Sequence, residues 1–325
     1  MNRRLRMLLW LCAALAITAG TITGRAAEYP SRPVRFVVPF PPSGGTDIVA
    51  RLLAQQLAER MGQQFVIDNR PGAASTIGAQ IAARAAADGY TLLLVTASYA
   101  ISASFYRTLP YDSVSDFDAV ARVASGPLLV VVHPSVKVGS MKELIALAKA
   151  APNKMNYASG GPGGINHLAG EMLKIMSGTR IVHVPYKGAG PALTGLIGGE
   201  VQMMVATLGS ALTHVRNGKL KALATGGGRR SSILPELPTV AESGVPGYAA
   251  DNWYGILAPR NVPPAILREL DKHIAAALST DTVRERFTSV GFEPSPSTPA
   301  QFAEYLRAEI RKWNRVMKEA GIESE

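Results

Sequence analysis

The sequence predicts an α/β protein of two domains, each a mostly parallel sheet flanked by helices. Three observations predict it. Val34-Arg35-Phe36-Val37-Val38, Gln64-Phe65-Val66-Ile67-Asp68 and Thr91-Leu92-Leu93-Leu94-Val95 are short apolar runs that alternate with helical patterns. Strands separated by single helices pair in parallel. A strand, a glycine-rich turn and a helix recur in the second half, at 154–158, 159–164 and 165–177. The chain has 325 residues, room for two ordinary domains.

Residues 1–26 read as an export leader. Arg3, Arg4 and Arg6 precede the apolar run Met7–Ala19, and Gly24-Arg25-Ala26 offers a small-x-small cleavage site. The run is too short to span a membrane. A mature chain beginning near Ala27 is therefore expected in the periplasm.

Strand 34–40 leads through Pro39-Phe40-Pro41-Pro42-Ser43-Gly44-Gly45-Thr46-Asp47 into helix 46–61. Val49, Leu52, Leu53 and Leu57 recur there at helical spacing, and Gly62 ends the pattern. Strand 64–68 runs into the turn Asn69-Arg70-Pro71-Gly72. A small-residue helix over 76–87 precedes strand 91–95, which ends at Thr96-Ala97-Ser98-Tyr99. Ligands of such sheets sit beyond the carboxyl ends of the strands, which sets 40–47, 69–75 and 96–99 along one edge. Asp112–Asp118 reads as a turn. The first crossing between domains is expected near Gly126-Pro127, just before the buried strand 128–132.

The second series opens with helix 141–150, capped by Ser140 and Glu143. After the second glycine turn come strand 181–184, loop 185–190, helix 191–198, strand 201–205, helix 210–217 and strand 220–224. A proline- and glycine-rich return leads to Trp253–Ala258, which crosses back. Helices 263–278, 281–289 and 299–319 finish the chain, the last with a Thr298-x-x-Gln301 box. The expected division is 27–126 with about 250–325 as domain 1, and 127–249 as domain 2.

Composition narrows the function. The chain is 47% hydrophobic and 18% charged, which is globular. Its net charge is +10, and the leader carries four of the arginines and no acid, leaving +6. Basic residues are spread out and not interleaved with aromatics, which suits small anions and argues against nucleic acid. Cys12 is the only cysteine and lies in the leader, so no disulfide or thiol chemistry is expected. The five histidines show no His-x-x-x-His spacing, so neither a metal site nor a cofactor is expected. No Gly-x-Gly-x-x-Gly or Gly-Lys-Ser/Thr motif follows a strand, which removes the nucleotide readings.

The turn 43–47 brings backbone N–H groups to a helix start, which carries partial positive charge. That combination holds anions, and here it suits a small carboxylate. Turn 159–164 offers the same. Glycines also permit tight turns with no ligand at all, but two such turns in two separate βα series favour an anion clamped from both sides. The candidate ligand-binding residues are Ser43, Gly44, Gly45, Thr46, Asp47, Ser98, Ser159, Gly160, Gly163, His167, Lys187 and Thr207. Asp47 is expected to orient its loop. His167 either donates to a carboxylate or fastens the second turn. Lys187 supplies charge at a strand end or is a surface lysine, and His183, alternating with apolar neighbours, reads as structural. An exported hydrolase would use Ser159 with His167, but no orienting third group and no Gly-x-Ser-x-Gly elbow is identifiable.

Asn69-Arg70-Pro71-Gly72-Ala73, Asp88-Gly89-Tyr90-Thr91-Leu92-Leu93, His167-Leu168-Ala169-Gly170-Glu171, His183-Val184-Pro185-Tyr186-Lys187-Gly188, Pro191-Ala192-Leu193, Leu237-Pro238-Thr239-Val240 and Gly255-Ile256-Leu257-Ala258-Pro259 follow the opening turn in order. Together they resemble the receptors of tripartite tricarboxylate transporters, the Bug-type periplasmic binding proteins, over Tyr29 to Ile322. The resemblance implies a two-domain clamshell of the periplasmic-binding type II fold. It implies a small carboxylate held by loops 42–47 and 159–164, and delivery by a monomeric receptor to a large and a small transmembrane subunit. A ligand sensor reporting to a signalling partner is the alternative role. Ser43 stands where the family has Gly or Ala, and Gly195 where it often has Asp.

Overall fold

The computed structural model describes residues 29–42 and 45–323. The leader expected over 1–26 lies outside them, and so do the candidate residues Ser43 and Gly44.

β1 (Val34–Val38) pairs in parallel with β2 (Phe65–Asn69) on one side and β3 (Thr91–Thr96) on the other. It feeds both faces of the sheet: Val34, Phe36 and Val38 enter one core, Val37 another. A strand covered on both faces needs a near-continuous apolar run. α1 (Gly45–Met61) covers the Phe36 face with Val49, Leu53 and Leu57, all fully buried. Burying each such side chain is worth about 1.5–3 kcal/mol. Gly62, at φ 70°, ends the helix in the left-handed conformation that glycine adopts most readily.

α2 (Thr76–Ala83) stops short of the expected 87, and the chain turns through Gly89 to reach β3. The segment Thr96–Tyr99, read from sequence as a strand end, instead opens α3 (Ala97–Phe105). Thr96 Oγ1 accepts from the Ser98 N–H at 3.2 Å, a side-chain cap that starts the helix directly off β3.

β4 (Phe117–Val132) is much longer than the expected 128–132. Its first part pairs antiparallel with β9 (Asp251–Pro259), ending at Pro127 opposite Asp251. From Leu128 it pairs with β7 (Met203–Thr207) and β8 (Lys221–Thr225) instead. The chain thus passes from one half of the sheet to the other inside a strand and not through a loop.

The second half carries α4 (Met141–Ala150), β5 (Asn156–Ser159), α5 (Ile165–Ser177), β6 (Val182–Pro185), α6 (Ala189–Ile197) and α7 (Leu208–Arg216). β5 lies parallel to β6 and β7. The return leg adds α8 (Pro264–Leu278), α9 (Asp281–Ser289), β10 (Glu293–Pro294) and α10 (Pro299–Ala320). β10 pairs with β4 at Ser125 and Ala124. Both halves of the capping box at Thr298 and Gln301 form, and α10 packs on α3, α5 and β4, bridging the two halves.

Among the described residues the sheet order is β2-β1-β3-β9-β4-β7-β5-β6, with β8 and β10 pairing β4 off that path. Helices cover both faces, giving two α/β lobes joined by β4 and β9. In each lobe the parallel strands hand over to helix starts at their carboxyl ends: α1 and α3 in the first, α5, α6 and α7 in the second. No described helix is long and apolar enough to cross a membrane.

Candidate functional site

Asp47 organises the turn between β1 and α1. Its carboxylate is buried and accepts from Asn69 Nδ2 at 2.9 Å and from Arg51 Nε at 2.7 Å. Asn69 Nδ2 also donates to the Phe40 carbonyl at 3.0 Å. The end of β2 is therefore stapled to both sides of the turn. Asp47 faces donors of its own chain, the geometry of a loop orienter.

Gly45 and Thr46 sit just past the turn. A Cβ on Gly45 would come within 2.8 Å of the Phe292 ring, so glycine is what admits Phe292 here. Thr46 hydrogen-bonds Tyr254, whose hydroxyl also accepts from Asn252 Nδ2 at 3.0 Å. Burial pushes the Tyr254 phenol up, so it stays a neutral hydroxyl. Strand alternation sends Trp253 to one core while Tyr254 turns toward the site.

These groups line a cavity of about 540 Å³. Gly45, Thr46 and Ile48 come from α1. Thr207, Leu208, Gly209 and Ser210 come from the start of α7 in the other lobe. Gly126, Asn252 and Tyr254 come from the crossing strands, and 289–292 closes one side. Two helix N-termini, one from each lobe, thus meet at one cavity. Thr207 Oγ1 and Ser210 Oγ lie 2.8 Å apart at its second-lobe wall. No described lining residue is charged, so the donors available to an anion are N–H groups, hydroxyls and the Asn252 amide. Such donors, fixed at a helix start, favour a carboxylate without competing for it with a salt bridge.

The second glycine turn is bound up with its own lobe. Ser159, fully buried, hydrogen-bonds His183 Nε2 at 2.6 Å and the Gly161 carbonyl at 3.2 Å. The Gly163 N–H donates to His167 Nδ1 at 3.2 Å, so His167 fastens the turn. His167 stacks on His183 with centroids 4.0 Å apart, and Tyr157 stacks on the other side at 4.8 Å. Burial, then the His167 ring, lowers the His183 pKa to about 4; burial lowers that of His167 too. Behind them Tyr157 donates to Glu171 at 2.6 Å, and Glu171 holds Lys174 at 2.8 Å.

This arrangement corrects the hydrolase reading. The hydroxyl of Ser159 is directed at His183 and not at His167, and it is sealed from solvent. His167 has committed Nδ1 to a backbone N–H.

The glycines of this turn have packing roles. A Cβ on Gly160 would lie 2.7 Å from the Ala189 N, because the Gly188 N–H reaches back to the Gly160 carbonyl at 3.1 Å. Gly163, at φ 68°, faces the Phe105 ring across from the first lobe. Lys187 is exposed on the loop beside them, and half-buried Ser98 donates its N–H to the Thr96 cap. Of the candidates, the cavity gathers Gly45, Thr46 and Thr207; Ser98, Ser159, Gly160, Gly163, His167 and Lys187 lie off its lining. Sequence reasoning missed Asn69, Ser210, Asn252 and Phe292. Asn69 opens the turn Asn69-Arg70-Pro71-Gly72, whereas the other three come from segments far apart in sequence.

Known proteins similar to this chain include a family model, a relative and two solved structures. The family model described as TctC, tripartite tricarboxylate transporter family receptor, matches residues 49–322. Protein BugT of Bordetella pertussis is 39% identical over 94% of each chain. Among solved structures, R. palustris Rpa4515 with adipate is 38% identical at a TM-score of 0.80, covering 91% of this chain and 100% of that one. MatC from Rhodopseudomonas palustris with bound malate is 31% identical at a TM-score of 0.74, covering 89% and 99%.

Proposed function

The chain belongs to the tripartite tricarboxylate transporter receptor family, and on that premise we propose that it captures a small organic carboxylate between its lobes and delivers it to a tripartite-type transporter. Proteins of this family are solute receptors and not enzymes, and their fold is the two-domain binding-protein clamshell. Two of the structures similar to this chain hold dicarboxylic acids, adipate in one and malate in the other, which supports a ligand of that class.

The observation that carries the proposal is the cavity where Gly45 and Thr46 face Thr207 and Ser210 across the two lobes. A carboxylate there would take N–H groups from the starts of α1 and α7 and hydroxyls from Thr46, Thr207 and Ser210. Each charge-assisted hydrogen bond of this kind contributes about 1.5–3 kcal/mol. Because the donors come from both lobes, the ligand itself bridges them and favours the arrangement that brings them together. The turns 42–47 and 159–164 would then frame the cleft, the second through the loop that His167 fastens.

The domain division that goes with this reading is 27–126 with about 250–325, and 127–249. The change of β4 partners at Leu128 supports it. The receptor would work as a monomer in the periplasm, its leader removed, with a large and a small transmembrane subunit as partners.

Thermal unfolding in the presence of mono- and dicarboxylates tests the proposal. At least one acid, adipate and malate being the first to try, is expected to raise the melting temperature in a saturable way. Its amide should have no effect. A flat response to every carboxylate would remove the receptor reading.

A further inference from the structure

The geometry points to Asp251 as a proton-operated latch on the hinge: protonated, it holds the lobe arrangement seen here, and ionised, it favours an arrangement in which water reaches it. Asp251 is the first residue of β9 and stands opposite Pro127, the last rung before β4 changes partners. At this rung β4 passes from the β9 half of the sheet to the β7 half. The residue as a whole is half-buried, but its Oδ1 is sealed from solvent and has no hydrogen-bond partner among the described residues. Gly227, in the second-lobe loop after β8, lies directly against the carboxylate: a Cβ there would be 2.8 Å from Oδ1 and 3.2 Å from Oδ2.

The charges around Asp251 come from three elements. Arg122 on β4 and Lys312 on α10 attract it, while Glu309 on α10 and Glu293 on β10 repel it. Tyr248 and Tyr305 also face it, both held neutral by burial. The two cations are committed elsewhere. Lys312 Nζ binds Glu309 at 2.5 Å and the Ala249 carbonyl at 3.1 Å. Arg122 bonds Ser295 and lies over the Tyr305 ring at 4.6 Å, its own Nε buried without a partner among the described residues. Glu293 is occupied by Ser231 at 2.6 Å and the Ser232 N–H at 2.7 Å, with Arg229 at 3.9 Å. No described group bonds the sealed Oδ1, and desolvation dominates, so the Asp251 pKa rises from 3.8 to about 6.

The sign follows from linkage. In the present arrangement Asp251 binds a proton more tightly than it would in water. That arrangement is therefore favoured most below pH about 4 and loses the advantage as pH rises through about 6. Above that the difference levels off. The shift corresponds to a change on the order of 25-fold in the ratio of the two arrangements between pH 4.5 and 7.5.

The test needs no ligand, so its failure is separate from failure of the receptor reading. In a chain starting at Ala27, which contains no cysteine, Arg60→Cys on α1 and Lys149→Cys on α4 carry spin labels on the two lobes. Electron–electron distance measurements are run from pH 4.5 to 7.5, with circular dichroism confirming the fold at each point. The expected result is a redistribution of interlobe distances that proceeds from pH 4.5 through about 6 and is level by pH 7.5, and its absence in Asp251→Asn, which stays in the acid-side distribution. Distances that do not change with pH in the parent chain would overturn the proposal on their own, without reference to any variant. So would a redistribution that survives in Asp251→Asn.

Discussion

Asn69 and Asp47 meet behind the opening turn, amide to carboxylate at 2.9 Å, and the same amide reaches the Phe40 carbonyl at 3.0 Å. One side chain at the end of β2 thereby fixes both the strand end and the helix start on either side of the glycine turn. The backbone donors proposed to hold the ligand depend on this brace.

Asn69→Ala removes both bonds and takes the amide donor away from the buried Asp47 carboxylate. The expected result is a stability loss of about 1–3 kcal/mol, because a buried acceptor loses its partner. Carboxylate affinity should fall at least tenfold as the turn loosens. Chemical denaturation and calorimetry check the two parts. Unchanged affinity in a folded variant would show that the brace is irrelevant to the site.

Gly45→Val places a branched side chain against Phe292 at the cavity wall. Phe292 is buried but meets the new Cβ with the far end of its ring, so the fold is expected to survive at a cost of about 1–3 kcal/mol. Binding should be lost, because the side chain fills the space next to the α1 N–H groups. Circular dichroism and calorimetry separate these outcomes.

Gly209→Ala probes contact between the lobes. A Cβ at Gly209 would stand 2.7 Å from the Val290 carbonyl, which is backbone and cannot swing aside. The start of α7 must therefore move off 290–291, separating the two walls of the cavity. Ligand affinity is expected to fall tenfold or more while the melting temperature changes little. An unaltered affinity would mean that these walls do not have to approach for binding.

The histidine stack predicts a pH effect that Gln at 183 removes. In the folded chain His183 has its pKa lowered to about 4, against 6.5 ordinarily. The unfolded chain binds more protons between those values, so His183 lowers stability as pH falls from about 6.5 toward 4 and has no such effect above 6.5. The ring is half-buried, so screening reduces the effect to about 1 kcal/mol at pH 5. Urea unfolding at pH 7 and pH 5 should show the parent chain losing that much more than His183→Gln. Equal losses would contradict the burial account of this ring.

The parts of this structure that sequence shows are those with a local cause. β1, α1 and the α10 capping box were legible because apolar spacing, a terminal Gly62 and a Thr298–Gln301 pair act over a few residues. The first part of β4 was not, because its strand conformation is imposed by β9, and Phe117 meets Pro259 from far along the chain. The start of α3 was hidden since Ala97-Ser98-Tyr99 suits a strand end as well as a capped helix. The site divides the same way. Gly45 and Thr46 could be read from the turn, but Phe292, Asn252 and Ser210 reach the cavity only through tertiary packing. Ser159 was matched to His167 by nearness in sequence, whereas β5 and β6 lie side by side and bring His183 to it.

Calorimetric titration of the chain from Ala27 onward with a panel of small mono- and dicarboxylates tests the central claim most directly. The account predicts saturable binding of at least one acid at a single site, abolished by Gly45→Val and weakened at least tenfold by Thr207→Val. It is contradicted if no carboxylate binds, or if an acid binds with the same affinity to both variants.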